Sequence, residues 1–215
     1  MFIIIYYYGD ILVAVIIGIN GRMGQLLYNY YKDKFDIIGV DTKANGFSSF
    51  NSIKDINTKI DFVIDFSSNK AFYDLVYALE NNIPVISGTT GYDAKEIKLL
   101  YEIGKGNFYH SNNFSKGIKL FKKLVKQINN PNIEFDLIEI HSDKKKDCPS
   151  GTAKMLADEL ECDYSKIQAL RLKNANPVHK IVFIDKYEKI ELIHEITSPN
   201  AFVEGFDEFL KGIIT

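Results

Sequence analysis

Leu12-Val13-Ala14-Val15-Ile16-Ile17-Gly18-Ile19-Asn20-Gly21-Arg22-Met23-Gly24 is the stretch whose reading decides the fold. Its first six residues are apolar and rich in β-branched side chains, the pattern of a parallel strand covered by helices on both faces. Three glycines follow, placed where a chain must turn tightly, admit a phosphate to its backbone and pack a helix on a strand. Residues 25–31 then read as a helix and 35–40 as a second strand that ends at Asp41. Strand, glycine turn, helix, strand and an acid roughly twenty residues beyond the glycines make a dinucleotide-binding βαβ unit, with Asp41 placed to accept the ribose hydroxyls. Asn20 replaces the middle glycine of the commonest pattern, a mild departure because asparagine tolerates left-handed backbone.

Outward from this unit the alternation continues. Strands are expected at 62–67, 84–87 and 107–109, with helices at 71–80 and 94–103 between them. Ligands of open α/β sheets lie beyond the carboxyl ends of the strands, which is where Ser67 and the Gly88-Thr89-Thr90 turn should stand. From residue 115 the regular alternation stops: a helix at 115–128, a strand at 133–140, a helix at 152–160, strands at 167–172, 179–184 and 189–196, and a helix at 200–213. The fold class is therefore α/β, with a Rossmann-type dinucleotide-binding domain over 1–114. An α+β second domain over 115–198 carries a mostly antiparallel sheet with one exposed or partner-facing side. A closing helix over 199–215 is expected to pack back on the first domain. Residues 1–11 read as an appendage, with a turn at Gly9-Asp10 ahead of the first strong strand.

A second stretch carries the chemistry: Glu139-Ile140-His141-Ser142-Asp143-Lys144-Lys145-Lys146-Asp147-Cys148-Pro149-Ser150-Gly151-Thr152. It leaves an apolar strand, crosses a lysine-rich loop and enters a helix with Ser150 as N-cap. His141 can carry a proton near neutral pH, Lys145 supplies a cation or an acid, and the free backbone N–H groups of Gly151 and Thr152 can hold an anion. A small anionic substrate that must be protonated is the simplest ligand for such a loop.

The net charge of -2 over 215 residues argues against a general nucleic-acid binder. Cys148 and Cys162 show neither metal-ligand spacing nor a disulfide framework, so no metal site and a reducing, cytoplasmic setting are expected. The apolar opening, residues 1–8, is too short to span a bilayer and lacks the flanks of a signal peptide, so no membrane association is expected.

With these residues assembled, the chain resembles the 4-hydroxy-tetrahydrodipicolinate reductase (dihydrodipicolinate reductase) family from about Leu12 to its end. Glu139, His141, Lys145, Asp147, Pro149, Ser150, Gly151 and Thr152 match the family pattern E-x-H-H-x-x-K-x-D-x-P-S-G-T. Supporting matches are Gly18, Gly21 to Gly24, Asp65-Phe66-Ser67, Gly88 to Gly91, Asn113 to Ser115, and a tail with Arg171, His179, Glu188, His194, Phe202 and Gly205. The resemblance implies NAD(P)H-dependent reduction of 4-hydroxy-tetrahydrodipicolinate, a small dicarboxylate, in the diaminopimelate route to lysine. It implies His141 and Lys145 as the proton-donating pair, with Ser142, Gly151 and Thr152 on the substrate. Gly18, Ile19, Asn20, Gly21, Arg22, Met23, Asp41, Gly88, Thr89, Thr90, Ser111, Asn112, Asn113 and Phe114 would line the cofactor. It also implies a homotetramer built through the second-domain sheet.

Ser142 stands where the family has its second histidine, and the first domain is shorter than usual in its loops. Asp41 favours NADH, while Lys43 close behind it offers a charge to the 2′-phosphate of NADPH; use of both, with NADH preferred, is expected. Two alternatives stay open on the residues alone. One is another two-domain nicotinamide-dependent oxidoreductase acting on a different small substrate; the other is a catalytically inactive dinucleotide-binding regulator.

Overall fold

The computed structural model describes residues 6–7, 10–43, 46–128 and 133–214. Its contacts divide the chain into two compact units, Met1–Asn112 and Asn113–Thr215. The division falls two residues before the expected boundary at 114.

In the first unit, short strands β1 (Tyr6–Tyr7) and β2 (Asp10–Ile11) pair antiparallel. Of the expected appendage, residues 1–5 and 8–9 lie outside the described residues, and with them Gly9 of the expected turn. Then come β3 (Val13–Ile17), α1 (Arg22–Tyr31), β4 (Asp36–Val40), β5 (Phe62–Asp65), α2 (Phe72–Glu80), β6 (Val85–Ser87), α3 (Ala94–Gly104) and β7 (Phe108–His110). The five longer strands form a parallel sheet in the order β4-β3-β5-β6-β7. Ala14, Val15, Ile16, Val63, Ile64, Val85 and Ile86 are completely buried. Continuous apolar runs are what a sheet covered on both faces requires, and each such side chain contributes about 1.5–3 kcal/mol of burial.

The strand order reverses beside β3: the chain first steps outward to β4, then crosses to β5 on the other side. Between β4 and β5 a doubly wound unit would place another strand. Here it is reduced to a single parallel bridge, Val40 to Phe50, with the Asp41 amide bonded to the Phe50 carbonyl at 3.1 Å. This shortening explains why no strand was read between 41 and 61.

The second unit runs α4 (Lys116–Ile128), β8 (Glu134–Ser142), α5 (Gly151–Glu159), β9 (Ile167–Leu172), β10 (Val178–Ile184), β11 (Lys189–Glu195) and α6 (Asn200–Ile214). Its sheet has the order β11-β10-β8-β9. The β11–β10 and β10–β8 pairs are antiparallel, whereas β9 runs parallel to β8 because α5 forms the crossover between them. Alternate residues of β10 turn inward, His179, Ile181 and Phe183 being buried, against a core of Ile118, Phe121 and Val125 from α4 and Ala153, Leu156 and Ala157 from α5.

The opposite face is uncovered by the described residues. It presents Leu170 and Leu172 of β9, Ile184 of β10 and Ile193 of β11, all exposed, with Ile138 and Ile140 of β8 half-buried in the same layer.

The closing helix α6 belongs to the second unit. Phe206 and Phe209 set their ring centroids 5.2 and 5.4 Å from Phe114. Gly205 lies so close to the Phe114 carbonyl that a Cβ there would fall 1.8 Å from its oxygen, so only glycine fits.

Candidate active site

A cleft of about 420 Å³ opens in the first unit where the strand order reverses, lined among others by Gly18, Asn20, Gly21, Asp41, Ser67 and Lys70. Gly18 takes a left-handed φ of 81°, and a Cβ on it would lie 2.6 Å from the Phe66 carbonyl oxygen. A Cβ on Gly24 would lie 2.2 Å from the Gly18 carbonyl oxygen, so helix α1 approaches the turn as closely as it does only because residue 24 is glycine.

The N-cap of α1 is Gly21, with no side chain bonded to the first-turn amides. Those amides and the helix dipole remain available to an anion such as a pyrophosphate. Asp41, at the end of β4, accepts the Asn20 amide on one carboxylate oxygen at 3.1 Å and the Thr42 amide on the other at 2.8 Å. Asn20 does not take the left-handed backbone that the sequence reading allowed it; of this turn only Gly18 does. The Asn20 side chain accepts the Phe47 amide and donates to Ser48 Oγ, tying the glycine turn to the loop after β4. The residues present thus fit a dinucleotide.

Beyond the ends of β5 and β6, Asp65 is fully buried and organises the loops that follow. Its carboxylate accepts Ser67 Oγ, Ser87 Oγ at 2.7 Å and the Tyr92 hydroxyl at 3.1 Å. Burial pushes its pKa up against those hydrogen bonds, and burial beside Asp65 raises that of Tyr92. The Ser67 amide donates to Thr89 Oγ1 at 2.9 Å, and Gly88 lies against the Phe66 ring, where a Cβ would come within 2.2 Å. Of the other expected cofactor residues, Arg22 is exposed on the first turn of α1 and Met23 is half-buried; Thr90 and Asn112 are exposed. The Ser111 amide donates to the Ser87 carbonyl at 3.1 Å, directly after β7.

The second unit holds the other cluster. Strand β8 extends to Ser142, so His141 stands in the strand and faces inward, 6% exposed, instead of opening the loop as the sequence suggested. Period two then places Glu139 on the same face, fully buried. The register sets His179 opposite Glu139 on one neighbouring strand and Arg171 opposite His141 on the other.

Glu139 is the hub. Its Oε1 accepts Arg171 at 2.9 Å and the Ser150 amide at 3.0 Å, and its Oε2 lies 3.3 Å from His141 Nδ1 and 4.0 Å from His179 Nε2. Burial alone would raise this carboxyl, but the bonds from His141, Ser150 and Arg171 together hold it well below the usual carboxylate range. Burial, reinforced by the neighbouring His141, pushes His179 down to about 3, so it is a neutral imidazole. Its ring lies 5.3 Å from that of His141 and 6.2 Å from that of His194, whose pKa burial also lowers. Glu139, His141 and His179 bring possible metal-ligand atoms within 4.8 Å of one another. A cation there would face the Arg171 guanidinium on the same carboxylate, which makes the cluster an ion-pair network and a poor metal site.

Ser150 caps α5, its Oγ accepting the Ala153 amide at 3.2 Å and lying 3.4 Å from His179 Nε2. Gly151 and Thr152 open the helix, and Asn113, expected on the cofactor, donates from Nδ2 to Thr152 Oγ1 at 3.1 Å. Lys145 sits on the loop, paired with Asp147 at 2.8 Å, and Arg171 also donates to the Asp147 carbonyl. The loop is thereby tied to β9. Ser142 is half-buried at the end of β8. Arg171, His179 and His194 had been read only as family matches; that Arg171 and His179 meet at Glu139, with His194 beside His179, follows from strand register, which no local pattern reveals.

This fold and this pair of sites define a two-domain nicotinamide-dependent oxidoreductase. Family models described as dihydrodipicolinate reductase, N-terminus and C-terminus, match residues 12–114 and 117–212. The chain belongs to the dihydrodipicolinate reductase family. Among its relatives, the 4-hydroxy-tetrahydrodipicolinate reductase of Clostridium tetani (strain Massachusetts / E88) is 31% identical, over 92% of this chain and 91% of its own length. That of Rickettsia canadensis (strain McKiel) is 33% identical over 87% of each chain. The solved structure of dipicolinate-bound dihydrodipicolinate reductase from Paenisporosarcina sp. TG-14 shares the fold, with a TM-score of 0.77 at 20% identity over 95% of both chains. No helix among the described residues is long and apolar enough to cross a membrane.

Proposed function

We propose that this protein reduces 4-hydroxy-tetrahydrodipicolinate to tetrahydrodipicolinate, using either nicotinamide cofactor with NADH preferred. The observation that carries this reading is the buried Glu139–His141 pair of β8, held by Arg171 of β9, on a strand, β8, that leads through the Lys145 loop to the N-terminus of α5. When bound, the nicotinamide supplies a hydride to the unsaturated carbon conjugated to the substrate imine, once water has been lost from the hydroxylated ring. The enamine so formed must gain a proton.

His141 turns its Nδ1 toward the Glu139 carboxylate, 3.3 Å away, which leaves Nε2 as the atom that passes the proton. Lys145 is the second member of the proton-donating pair. The free amides at the start of α5, at Gly151 and Thr152, hold a substrate carboxylate, and Ser142, at the end of β8, is the third substrate residue of this reading. The dipicolinate held by the Paenisporosarcina protein is likewise a six-membered nitrogen ring with two carboxylates, which supports this class of substrate. Gly18 to Met23, Asp41, Gly88 to Thr90 and Ser111 to Phe114 serve the cofactor.

The deciding experiment follows hydride transfer to the imine in wild type and in His141→Ala and Lys145→Ala. Turnover should fall by ~10²–10⁴ in each variant while NADH binding persists, because a general acid is typically worth that much. Near-normal turnover in both variants would overturn the assignment. Persistent NADH binding with no imine reduction by the wild type would favour the dinucleotide-binding regulator.

The uncovered sheet face of Leu170, Leu172 and Ile193 supports assembly into a homotetramer through the second unit. Sedimentation equilibrium should return four copies; a monomer at micromolar concentration would refute it.

A further inference from the structure

We infer that Lys70, on the short turn between β5 and α2, recognises the 2′-phosphate of NADPH and so sets how far this enzyme departs from NADH. The inference rests on the dinucleotide reading of the first-unit cleft. Lys43, the basic residue that the sequence offered for this task, is not among the residues lining that cleft. Its carbonyl accepts Ser48 Oγ at 2.7 Å and Asn20 Nδ2 at 3.5 Å, so the backbone at Lys43 is folded onto the glycine turn.

Lys70 lies in a one-turn 3-10 helix, Asn69–Ala71. It lines the same cleft as Ser68, Asp74, Asp41, Thr42 and Asn51. Asp41 closes β4, where the ribose hydroxyls of a dinucleotide are bound, so this is the adenosine end. The described lining residues bring two carboxylates, Asp41 and Asp74, and a single cation, Lys70. Asp74 already accepts Ser52 Oγ, while the Lys70 ammonium is exposed and makes no ion pair with a described residue.

The electrostatics follow from these placements. A 2′-phosphate carries close to two negative charges and is repelled by Asp41. A free ammonium on a flexible stem is the one group lining the cleft that can offset the repulsion, and a point charge suffices for a phosphate. The ribose of NADH makes no such demand. The pyrophosphate is served separately by the amides of α1, which leaves Lys70 free for the 2′ position.

The experiment is isothermal calorimetry on the full-length protein with NADH, NADPH and adenosine 2′,5′-bisphosphate, for wild type, Lys70→Ala, Lys70→Arg and Lys43→Ala. In Lys70→Ala the NADPH-to-NADH affinity ratio should fall on the order of tenfold, the bisphosphate should weaken in parallel, and Lys70→Arg should restore both. The inference is overturned if the ratio in Lys70→Ala stays within about twofold of wild type. Equal losses for NADH and NADPH would place Lys70 on the pyrophosphate instead, and a larger selective loss in Lys43→Ala would return the role to that residue. A wild type that binds none of the three nucleotides would overturn the cofactor reading itself, and this inference with it.

Discussion

The two units build their sites by opposite means. In the first, the dinucleotide cleft is made of backbone: a left-handed Gly18, the close approach of Gly24 and the open amides of α1, all within seven consecutive residues. In the second, the buried ion-pair cluster is made of side chains from three strands, Glu139 and His141 on β8, Arg171 on β9 and His179 on β10, joined by Ser150 at the cap of α5. A backbone site tolerates change in whatever surrounds its glycines. A side-chain network that includes a buried charge does not, because each member leaves another uncompensated when it is lost.

The sharpest way to break this comparison is Arg171→Ala. Glu139 is completely buried and strongly ionised, so removing the guanidinium 2.9 Å away leaves a charge that only His141 and one amide oppose. Breaking a buried pair from one side costs about 3–5 kcal/mol. Denaturant unfolding should show that loss, together with lower turnover, whereas Lys70→Ala on the exposed wall of the first unit should leave stability within about 0.5 kcal/mol of wild type. Equal stabilities for Arg171→Ala and wild type would mean that the network is not what holds this part of the second unit.

A smaller effect is expected from acid. His179 titrates at about 3 in the folded protein and near 6.5 when unfolded. Below pH 6.5 the unfolded chain therefore binds a proton that the folded chain refuses, and stability falls as the pH drops. Between pH 7 and pH 5 this one group removes about 2 kcal/mol. Glu139 has the opposite sign of shift: its stabilising contribution is present above its unfolded pKa and is lost only as pH falls toward its depressed folded value, below this window. His194, whose pKa is also lowered by burial, acts in the same direction as His179. Unfolding midpoints measured across pH 7 to 5 should slope downward, and His179→Gln should flatten the slope. An unchanged slope in that variant would show that His179 titrates in the fold as it does in the unfolded chain.

Much of this was legible before any coordinates. The apolar run 12–17, the spacing of Gly18, Gly21 and Gly24 and the acid at 41 are local, and local sequence dictates a strand, a tight turn and a helix start without reference to anything distant. The stretch from Glu139 to Thr152 likewise announced a cap at Ser150 and a helix start just after it, and the structure has both features. What the sequence determined, then, was every feature whose cause lies within about one turn of helix or one pair of strands.

Tertiary structure decided the rest. That the unit between β4 and β5 shrinks to one bridge at Phe50, that β9 runs parallel to β8, that Arg171 and His179 converge on Glu139, and that Lys70 and not Lys43 lines the cleft all depend on partners distant in sequence. Between Glu139 and Arg171 lie a loop, a helix and a turn. Only the register of β8 against β9 and β10 fixes which side chains share the buried face, and a slip of one residue would send every one of them to the other side.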